Sequence, residues 1–388
     1  MVTFDIHGME RKIPEVKAAM RTILAAGFDA DYISDKLLIE SDIKTPVIVP
    51  SCKYMPLETA KRLLQLKRSG VPVYFVDSLP EDVPGLVNLD ARRKAFSKVV
   101  QKLGAPVPME DIFARYTPET FKNVCGGNMI RRRNEAGGYN YFFTLPVATA
   151  VDGWVKLATE ASSAIIFDPM QEKKGKAQLR TAADGCAEIR LQMEPGQSLL
   201  IKTFPKEIDS APWQYIGETG EPMALAEGWT LTFPESAPAI SGSFSIGGPV
   251  DWTTLDVPEA KVNQGTALYS ATVCIDSEKM DKADDWILDL GDVRESAKVF
   301  VNGEEVATLV SVPFKVAVGE WLKPGQNSIE VYVTNLASNR IADYDRRGIE
   351  WRIFKDANID TLSDPDFGKW AVDPSGLLSI PQLIPVKY

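Results

Sequence analysis

The stretch LDLGDVRESAKVFVNGEEVATL, from Leu288 to Leu309, decides the fold of the C-terminal part of this chain. Apolar and polar residues alternate on both sides of Asn302-Gly303, a dipeptide that favours a tight hairpin because both residues tolerate positive φ. We predict two strands joined by this turn, with Gly291 and Asp292 leading from one sheet edge to the next. Many short strands at even spacing surround this unit, so residues 216–388 are predicted to form a β-sandwich of the jelly-roll type.

The chain has 388 residues, which is long enough for two or three domains. Over residues 1–104, helical and strand patterns alternate, which predicts a doubly wound α/β domain with a parallel sheet. Short β-branched and aromatic runs over residues 105–215 predict an intermediate β domain, and a Pro/Gly-rich linker is expected over 205–228. The resulting fold class is multidomain, α/β plus all-β.

The first domain opens on a helix that starts at Pro14 and ends before Gly27. Doubly wound domains begin with a strand in the sheet centre. We therefore expect this first strand to be missing or supplied by another chain. The next extended run, Phe28–Ser34, is predicted as a strand, and Val71–Asp77 as another.

The net charge of −10 and the pI near 5.0 argue against a nucleic-acid partner, because phosphate binding needs a basic surface. The one basic run, Arg131 to Arg133, is interpreted as a solvated strand edge. No run of eighteen apolar residues occurs, so no membrane span is predicted.

Nothing in the sequence picks out a catalytic or metal-binding set. The four cysteines show no CxxC spacing, and His7 is the one histidine. Cys52 follows a strand and precedes a helix, but Ser51 and Lys53 replace the small neighbours that a nucleophile elbow needs. The acidic run Asp276–Asp285 lacks the glycine and spacing of an EF-hand and is predicted to be a hairpin. We predict no catalytic residue, no metal ligand and no cofactor.

The stretch Asn339–Asp360 concentrates charge and aromatic residues after a strand and is predicted to be a loop. Such a loop on a rigid sandwich suits sugar binding, whereas Arg and Trp also suit docking onto another domain. The sequence favours docking and leaves sugar binding open. The candidate residues for either role are Arg294, Arg340, Asp345, Arg346, Arg347 and Trp351.

The unit quoted first, together with Val312–Phe354, resembles the C-terminal jelly roll of glycoside hydrolase family 106, which groups α-L-rhamnosidase-like enzymes. That module is related to the galactose-binding-like, sugar-binding domain of family 2 hydrolases. Upstream stretches such as YMPLETAKRLLQLKRSGVPVYFVDSLPEDVPG resemble the amidotransferase-like, flavodoxin-like α/β domain of the same family. Others, such as LQMEPGQSLLIKTF, resemble its intermediate β domain. One departure is Ser379, where the resemblance leads us to expect glycine.

Members of that family carry a (β/α)₈ catalytic barrel N-terminal to these domains, and the acidic catalytic residues and a calcium site lie in it. Such a barrel needs about 250 residues. None of the family's catalytic residues or calcium ligands can be placed at a position of this sequence. The resemblance therefore implies a non-catalytic portion of a hydrolase, partnered by the missing barrel and by a plant-type polysaccharide or oligosaccharide, in the periplasm or outside the cell. Two alternatives remain: a carbohydrate-binding protein, and an amidotransferase-like enzyme that uses Cys52.

Overall fold

The structure is a computed structural model that describes residues 14–351 and 366–388, and the chain divides into two compact units. The first unit comprises Met1–Arg132, Val155–Ala161 and Arg180–Ile189, and the second comprises Arg133–Trp154, Ser162–Leu179 and Arg190–Tyr388. The architecture combines an α/β segment with β-sheets and a C-terminal sandwich, in agreement with the predicted fold class. The predicted domain boundaries remain predictions.

The first part of the chain contains helices around a short parallel sheet. Its elements are α1 (Pro14–Ala25), α2 (Asp35–Glu40), β1 (Val47–Val49), α3 (Leu57–Arg68), β2 (Val73–Phe75), α4 (Leu89–Val100), α5 (Met109–Phe113) and α6 (Phe121–Cys125). β1 and β2 are parallel, as predicted, with Val47 opposite Val73. The buried side chains of Leu63, Phe75 and Phe96 belong to the core that this sheet shares with the helices.

Two stops in this segment follow the sequence prediction, and one predicted strand is wrong. Gly27 and Gly70 both have positive φ, 87° and 90°, and each lies two residues after the last residue of its helix, α1 or α3. Phe28–Ser34 forms no strand. The Ser34 side chain instead accepts the backbone N–H of Leu37 and caps α2, because serine at an N-cap satisfies a free helical donor.

Arg131 corrects the prediction of a solvated basic strand edge. Its guanidinium donates to Asp29 at 2.8 Å and to Glu119 at 2.7 Å, and the Glu119 side chain is only 2% exposed. Glu119 also accepts the backbone N–H of Ala158 at 3.0 Å. Because a buried carboxylate needs charged or hydrogen-bonding partners, this arginine has a structural role within the first unit. The neighbouring Arg132 is half-exposed, as predicted.

The middle of the chain is built from strands, as predicted. They are β3 (Asn128–Arg133), β4 (Tyr139–Thr144), β5 (Val151–Lys156), β6 (Ser163–Asp168), β7 (Lys173–Lys176), β8 (Leu179–Thr181), β9 (Ala187–Met193) and β10 (Ser198–Phe204). One sheet has the order β3-β4-β10-β6-β7, and another has the order β5-β9-β8. Within the described residues, no helix has the length and apolar character of a membrane span.

Within residues 216–351 and 366–388, the C-terminal part adds thirteen strands and two helices. They are β11 (Glu218–Thr219), β12 (Met223–Ala224), β13 (Trp229–Ala237), β14 (Ser243–Ile246), β15 (Gln264–Ile275), α7 (Ser277–Asp281), β16 (Asp285–Asp289), β17 (Val293–Arg294), β18 (Ser296–Val301), β19 (Glu304–Leu309), β20 (Lys315–Ala317), β21 (Gly325–Thr334), α8 (Ser338–Arg346), β22 (Gly376–Leu377) and β23 (Gln382–Lys387). Short 3₁₀ turns lie at Trp252–Thr254, Pro258–Val262, Gly319–Trp321 and Phe367–Lys369.

Two predictions in this part need correction. The Pro/Gly-rich stretch 205–228 is not an unpaired linker, because β11 and β12 both pair with β23. The acidic run predicted as a hairpin contains the short helix α7. Glu278 and Lys282 form an i,i+4 ion pair there, a spacing that helices favour.

The core of the sandwich lies between a six-stranded sheet, β14-β13-β15-β21-β18-β19, and a second sheet, β11-β23-β16-β20. Along β21 the side chains of Ile329, Val331 and Val333 are buried and the residues between them are not. The chain passes from β16 in one sheet to β18 in the other through Gly291, whose φ is 66°. The predicted turn at Gly291 and Asp292 is thereby confirmed.

The predicted Asn302-Gly303 hairpin is also confirmed, since both residues have positive φ and β18 pairs with β19. The Asn302 side chain does more than permit the turn. Its amide donates to the carbonyl oxygen of Trp321 and to Asn327 Oδ1, both at 2.8 Å, and accepts the N–H of Ser328 at 3.0 Å. This residue thus ties the hairpin to β21 and to the 3₁₀ turn before it.

Replacing Asn302 should separate these two contributions. We expect Asn302→Gly to lower the free energy of unfolding by about 2 kcal/mol, because it keeps the turn but loses the side-chain hydrogen bonds. Asn302→Ala should cost roughly 1 kcal/mol more, since alanine disfavours positive φ. Urea denaturation measures both, with exposed Asn123→Ala as a control expected within about 0.5 kcal/mol of the parent protein. Equal losses for the glycine and alanine variants would contradict the backbone contribution.

Candidate functional site

The candidate side chains lie at one end of the C-terminal sandwich, where β21 ends at Thr334 and α8 begins at Ser338. The backbone N–H of Glu295 donates to the carbonyl oxygen of Thr334 at 2.8 Å. This bond places β17, which carries Arg294, beside the start of the connection to α8. Two regions that are 40 residues apart in sequence therefore meet at this end of the sheet.

The stretch predicted as a loop from Asn339 is a helix, α8, as far as Arg346. Arg340 and Arg347 both donate to Asp343, at 3.3 and 3.1 Å, with the i,i+3 and i,i+4 spacing that supports a helix. The Arg340 guanidinium also lies 4.4 Å from the centre of the Tyr344 ring. Both arginines are thus bound to an aspartate of α8. Residues 352–360 of the predicted loop lie outside the described residues.

Asn339 fixes α8 to the segment that leads into β22. Its side-chain amide donates to the carbonyl oxygen of Asp373 and accepts the Asp373 N–H, both at 2.8 Å. Asn339 is buried, at 2% exposure. Since a buried amide with both groups satisfied stabilises one arrangement, this pair sets the position of residues near 373 against the helix.

Asp345 organises an aromatic cluster. It accepts the indole Nε1–H of Trp351 at 2.6 Å and the backbone N–H of Phe367 at 2.9 Å. The Trp351 and Phe367 rings lie 5.8 Å apart, and the Phe367 and Trp370 rings lie 4.5 Å apart. The Trp370 side chain is 46% exposed. Of these three rings, that of Trp370 is therefore the exposed one.

Sequence reasoning placed the aromatic contribution on Trp351 and missed Phe367 and Trp370. The signal was available in the stretch DFGKWAV, Asp366–Val372, where two aromatic residues stand among polar and small ones. What the sequence could not show is that Asp345 binds both halves of the cluster.

Arg346 and Arg294 have different surroundings. Arg346 Nε donates to the carbonyl oxygen of Gly368 at 3.0 Å, and the residue is exposed. Arg294 forms a bidentate pair with Asp292, at 2.6 and 2.9 Å, and this hydrogen bonding raises the pKa of Arg294. The backbone at Asp292 is in turn held by Ser379, whose Oγ accepts a hydrogen bond from the Asp292 N–H at 2.9 Å. Serine at position 379 thus contributes a turn-stabilising hydrogen bond that glycine would lack.

The alternative site around Cys52 does not assemble. Seven residues separate β1 from α3, so no sharp strand-to-helix elbow is formed. Burial raises the pKa of the Cys52 thiol, which reduces its thiolate fraction and its nucleophilicity. His7 lies outside the described residues. Across residues 14–351 and 366–388, no group of three or more His, Cys, Asp or Glu side chains is arranged to hold a metal ion.

Comparison with known proteins gives two informative likenesses, while no protein-family profile matches the sequence. Over 135 residues the chain is 32% identical to a candidate beta-glucuronidase from Formosa agariphila, a match that covers 33% of this chain and 12% of that protein. The fold is similar to that of a rhamnosidase from Novosphingobium sp. PP1Y, with a TM-score of 0.67 and 19% identity, over 91% of this chain and 36% of that one.

These likenesses define what the chain is similar to: it has a rhamnosidase-like fold, and about a third of it is similar in sequence to a candidate glycoside hydrolase. The sequence identity to the rhamnosidase is low enough that the comparison speaks for the fold alone. The chain spans well under two thirds of either protein, so neither protein's activity is transferred with the fold.

The hydrogen bond between Asp345 and Trp351 can be tested by a double-mutant cycle. We expect Asp345→Ala to cost about 2 kcal/mol and Trp351→Phe about 1 kcal/mol in unfolding free energy. The double variant should lose about 1 kcal/mol less than their sum, because the two share one interaction. The control cycle combines Trp351→Phe with Asp343→Ala, because the Asp343 carboxylate binds Arg340 and Arg347 instead of Trp351. The losses in unfolding free energy should be additive in this control. An additive first cycle would show that the bond contributes nothing.

Proposed function

We propose that this chain is the C-terminal, non-catalytic portion of an α-L-rhamnosidase-like glycoside hydrolase of family 106. The observation that carries the proposal is the fold likeness to a rhamnosidase over 91% of this chain, which spans 36% of that enzyme. In this proposal the α/β segment is the amidotransferase-like domain, the middle strands form the intermediate β domain, and the C-terminal sandwich is the galactose-binding-like jelly roll. A calcium site, by the same proposal, belongs to the catalytic barrel.

The chemistry of the candidate residues favours a structural role over a catalytic one. Arg294, Arg340 and Arg347 all form ion pairs with aspartates close to them in sequence. A catalytic glycosidase site needs two carboxyl groups that face one bond at a set separation. The carboxylates of Asp343 and Asp345 are instead committed to arginine, indole and backbone donors. Their role is to hold a rigid surface that another domain can dock against.

The purified chain should leave aryl α-L-rhamnosides intact. The physical reason is that Asp343 and Asp345, the carboxylates among the candidate residues, already bind arginine, indole and backbone donors and are not free to act as an acid–base pair. Release of the aryl group is followed by absorbance, with a known α-L-rhamnosidase as the positive control in the same buffer. Turnover that co-purifies with the chain and scales with its concentration would overturn the proposal.

A second candidate function is supported by the exposure of Trp370: a carbohydrate-binding role for the sandwich, with rhamnose-containing plant polysaccharide as the ligand. An exposed indole on a rigid scaffold presents a flat apolar face to the C–H groups of a sugar ring. The Trp370 ring packs against the Phe367 ring, and the backbone N–H of Phe367 is bound by Asp345. These contacts limit the motion of the indole face. Such pre-organisation reduces the entropy lost on binding.

Titration calorimetry with rhamnogalacturonan oligosaccharides tests this second function. We expect binding in the millimolar range that falls by about tenfold in Trp370→Ala, a loss of roughly 1.4 kcal/mol. Trp351→Ala should also weaken binding, because it removes the ring packed on Phe367. Tyr32→Ala, an exposed aromatic residue of the α/β segment, is the control and should bind as the parent does. The absence of heat with the parent protein would eliminate this function.

A further inference from the structure

A groove with a volume of about 290 Å³ lies in the C-terminal sandwich, beside the C-terminal end of α8. The 3₁₀ turn Pro258–Val262 and the residues before it form one wall, and Arg346 and Val372 contribute to the lining. Most of the lining side chains are apolar, Leu255 and Val257 among them. Three are charged: Asp256, Lys261 and Arg346.

The Arg346 guanidinium is oriented by the 3₁₀ turn Phe367–Lys369. Its Nε donates to the carbonyl oxygen of Gly368, while the Gly368 N–H donates to Asp366 Oδ1 at 3.1 Å. A Cβ at position 368 would lie 3.2 Å from Arg346 Cγ, so glycine allows this close approach. The Nε side of the Arg346 guanidinium is thereby fixed. Within residues 14–351 and 366–388, its Nη1 and Nη2 atoms have no hydrogen-bond acceptor.

Lys261 and Asp256 are likewise unpaired in the part of the chain that the structure describes. No ion pair there includes either side chain, and both residues are exposed. This differs from the neighbouring Arg347, whose charge is balanced by Asp343. The groove therefore carries two available cations and one available carboxylate, a local excess of positive charge on a chain with a net charge of −10.

From this arrangement we infer that the groove binds one carboxylated sugar unit, a uronate residue of an acidic polysaccharide. The planar guanidinium of Arg346 suits a carboxylate, which it can bind through two parallel hydrogen bonds, and Lys261 adds a second positive charge. Asp256 can accept hydrogen bonds from sugar hydroxyl groups. The apolar wall supplies a surface for the C–H face of the ring.

The dimensions and chemistry favour a sugar acid over a bare anion. Sites for small ligands begin at roughly 300 Å³ and combine apolar walls with a few convergent polar groups. A simple anion would leave the apolar wall and the hydrogen-bond acceptors of Asp256 without a role. The inference rests on the proposed relation to glycan-active proteins, and it adds the class of sugar and the residues that select it.

The test is a titration followed by NMR and calorimetry, in which the full chain is mixed with trigalacturonic acid. Its methyl-esterified form has nearly the same shape without the charge, and succinate supplies carboxylates without a sugar ring. We expect the acid to bind about tenfold more tightly than the ester or succinate. Arg346→Gln and Lys261→Gln should each weaken binding of the acid by about five- to tenfold. Arg347→Gln and Lys279→Gln, equal losses of charge outside the groove, should change it less than about twofold.

Three outcomes would overturn the inference. Equal affinity for the acid and its ester would remove the carboxylate as the recognised group. Equal affinity for succinate would leave an anion site without sugar recognition. Equal effects of Arg346→Gln and Arg347→Gln, together with an unchanged Lys261→Gln variant, would place any binding elsewhere. None of these results alters the outcome of the rhamnoside assay. The uronate-binding inference can therefore be wrong while the proposed relation to hydrolases is right, and the proposed relation can be wrong while the groove binds a uronate.

Discussion

The two-residue alternation along β21 is the constraint on which the candidate surface depends. Ile329, Val331 and Val333 fill the core between the sheets, and β21 pairs with β15 on one side and β18 on the other. A shift of register by one residue would turn these side chains to solvent, so pairing in any other register is disfavoured. Because α8 begins shortly after β21 ends, this register also determines where Asn339, Asp345 and Arg346 lie.

The sandwich was predictable from the sequence because its signals are local. Alternating apolar residues and Asn302-Gly303 each indicate their structure within a few positions. Phe28–Ser34 failed as a strand for the opposite reason: its apolar residues are compatible with an extended chain, but Ser34 caps the helix that follows. α8 was missed because its apolar content is low. The evidence for a helix lies in the spacing of Arg340, Asp343 and Arg347. These residues form i,i+3 and i,i+4 ion pairs only when the segment is helical, so in the sequence they look like an ordinary run of charges.

The candidate surface was only half accessible to sequence reasoning. Charge density identified Arg340, Arg346 and Arg347 as a group, yet their roles differ because Asp343 balances two of them and not the third. No local pattern distinguishes these arginines. The residues that give Arg346 its setting, Gly368 and Lys261, come from opposite sides in sequence, and the packing of the sandwich brings them together. Pairing of this kind depends on tertiary structure, so composition can locate a charged surface but cannot say which charges remain available.

The overall charge of the chain bears on how an acidic ligand could be recognised at all. A net charge of −10 repels an anionic glycan at long range, although at physiological ionic strength charges are screened beyond about 8 Å. Attraction must therefore come from groups in direct contact with the ligand. Arg346 is suited to this, since Gly368 holds its fork in one orientation and bidentate hydrogen bonds act at short range. Selectivity for one acidic ligand therefore comes from the groups that line the groove and not from the net charge of the chain.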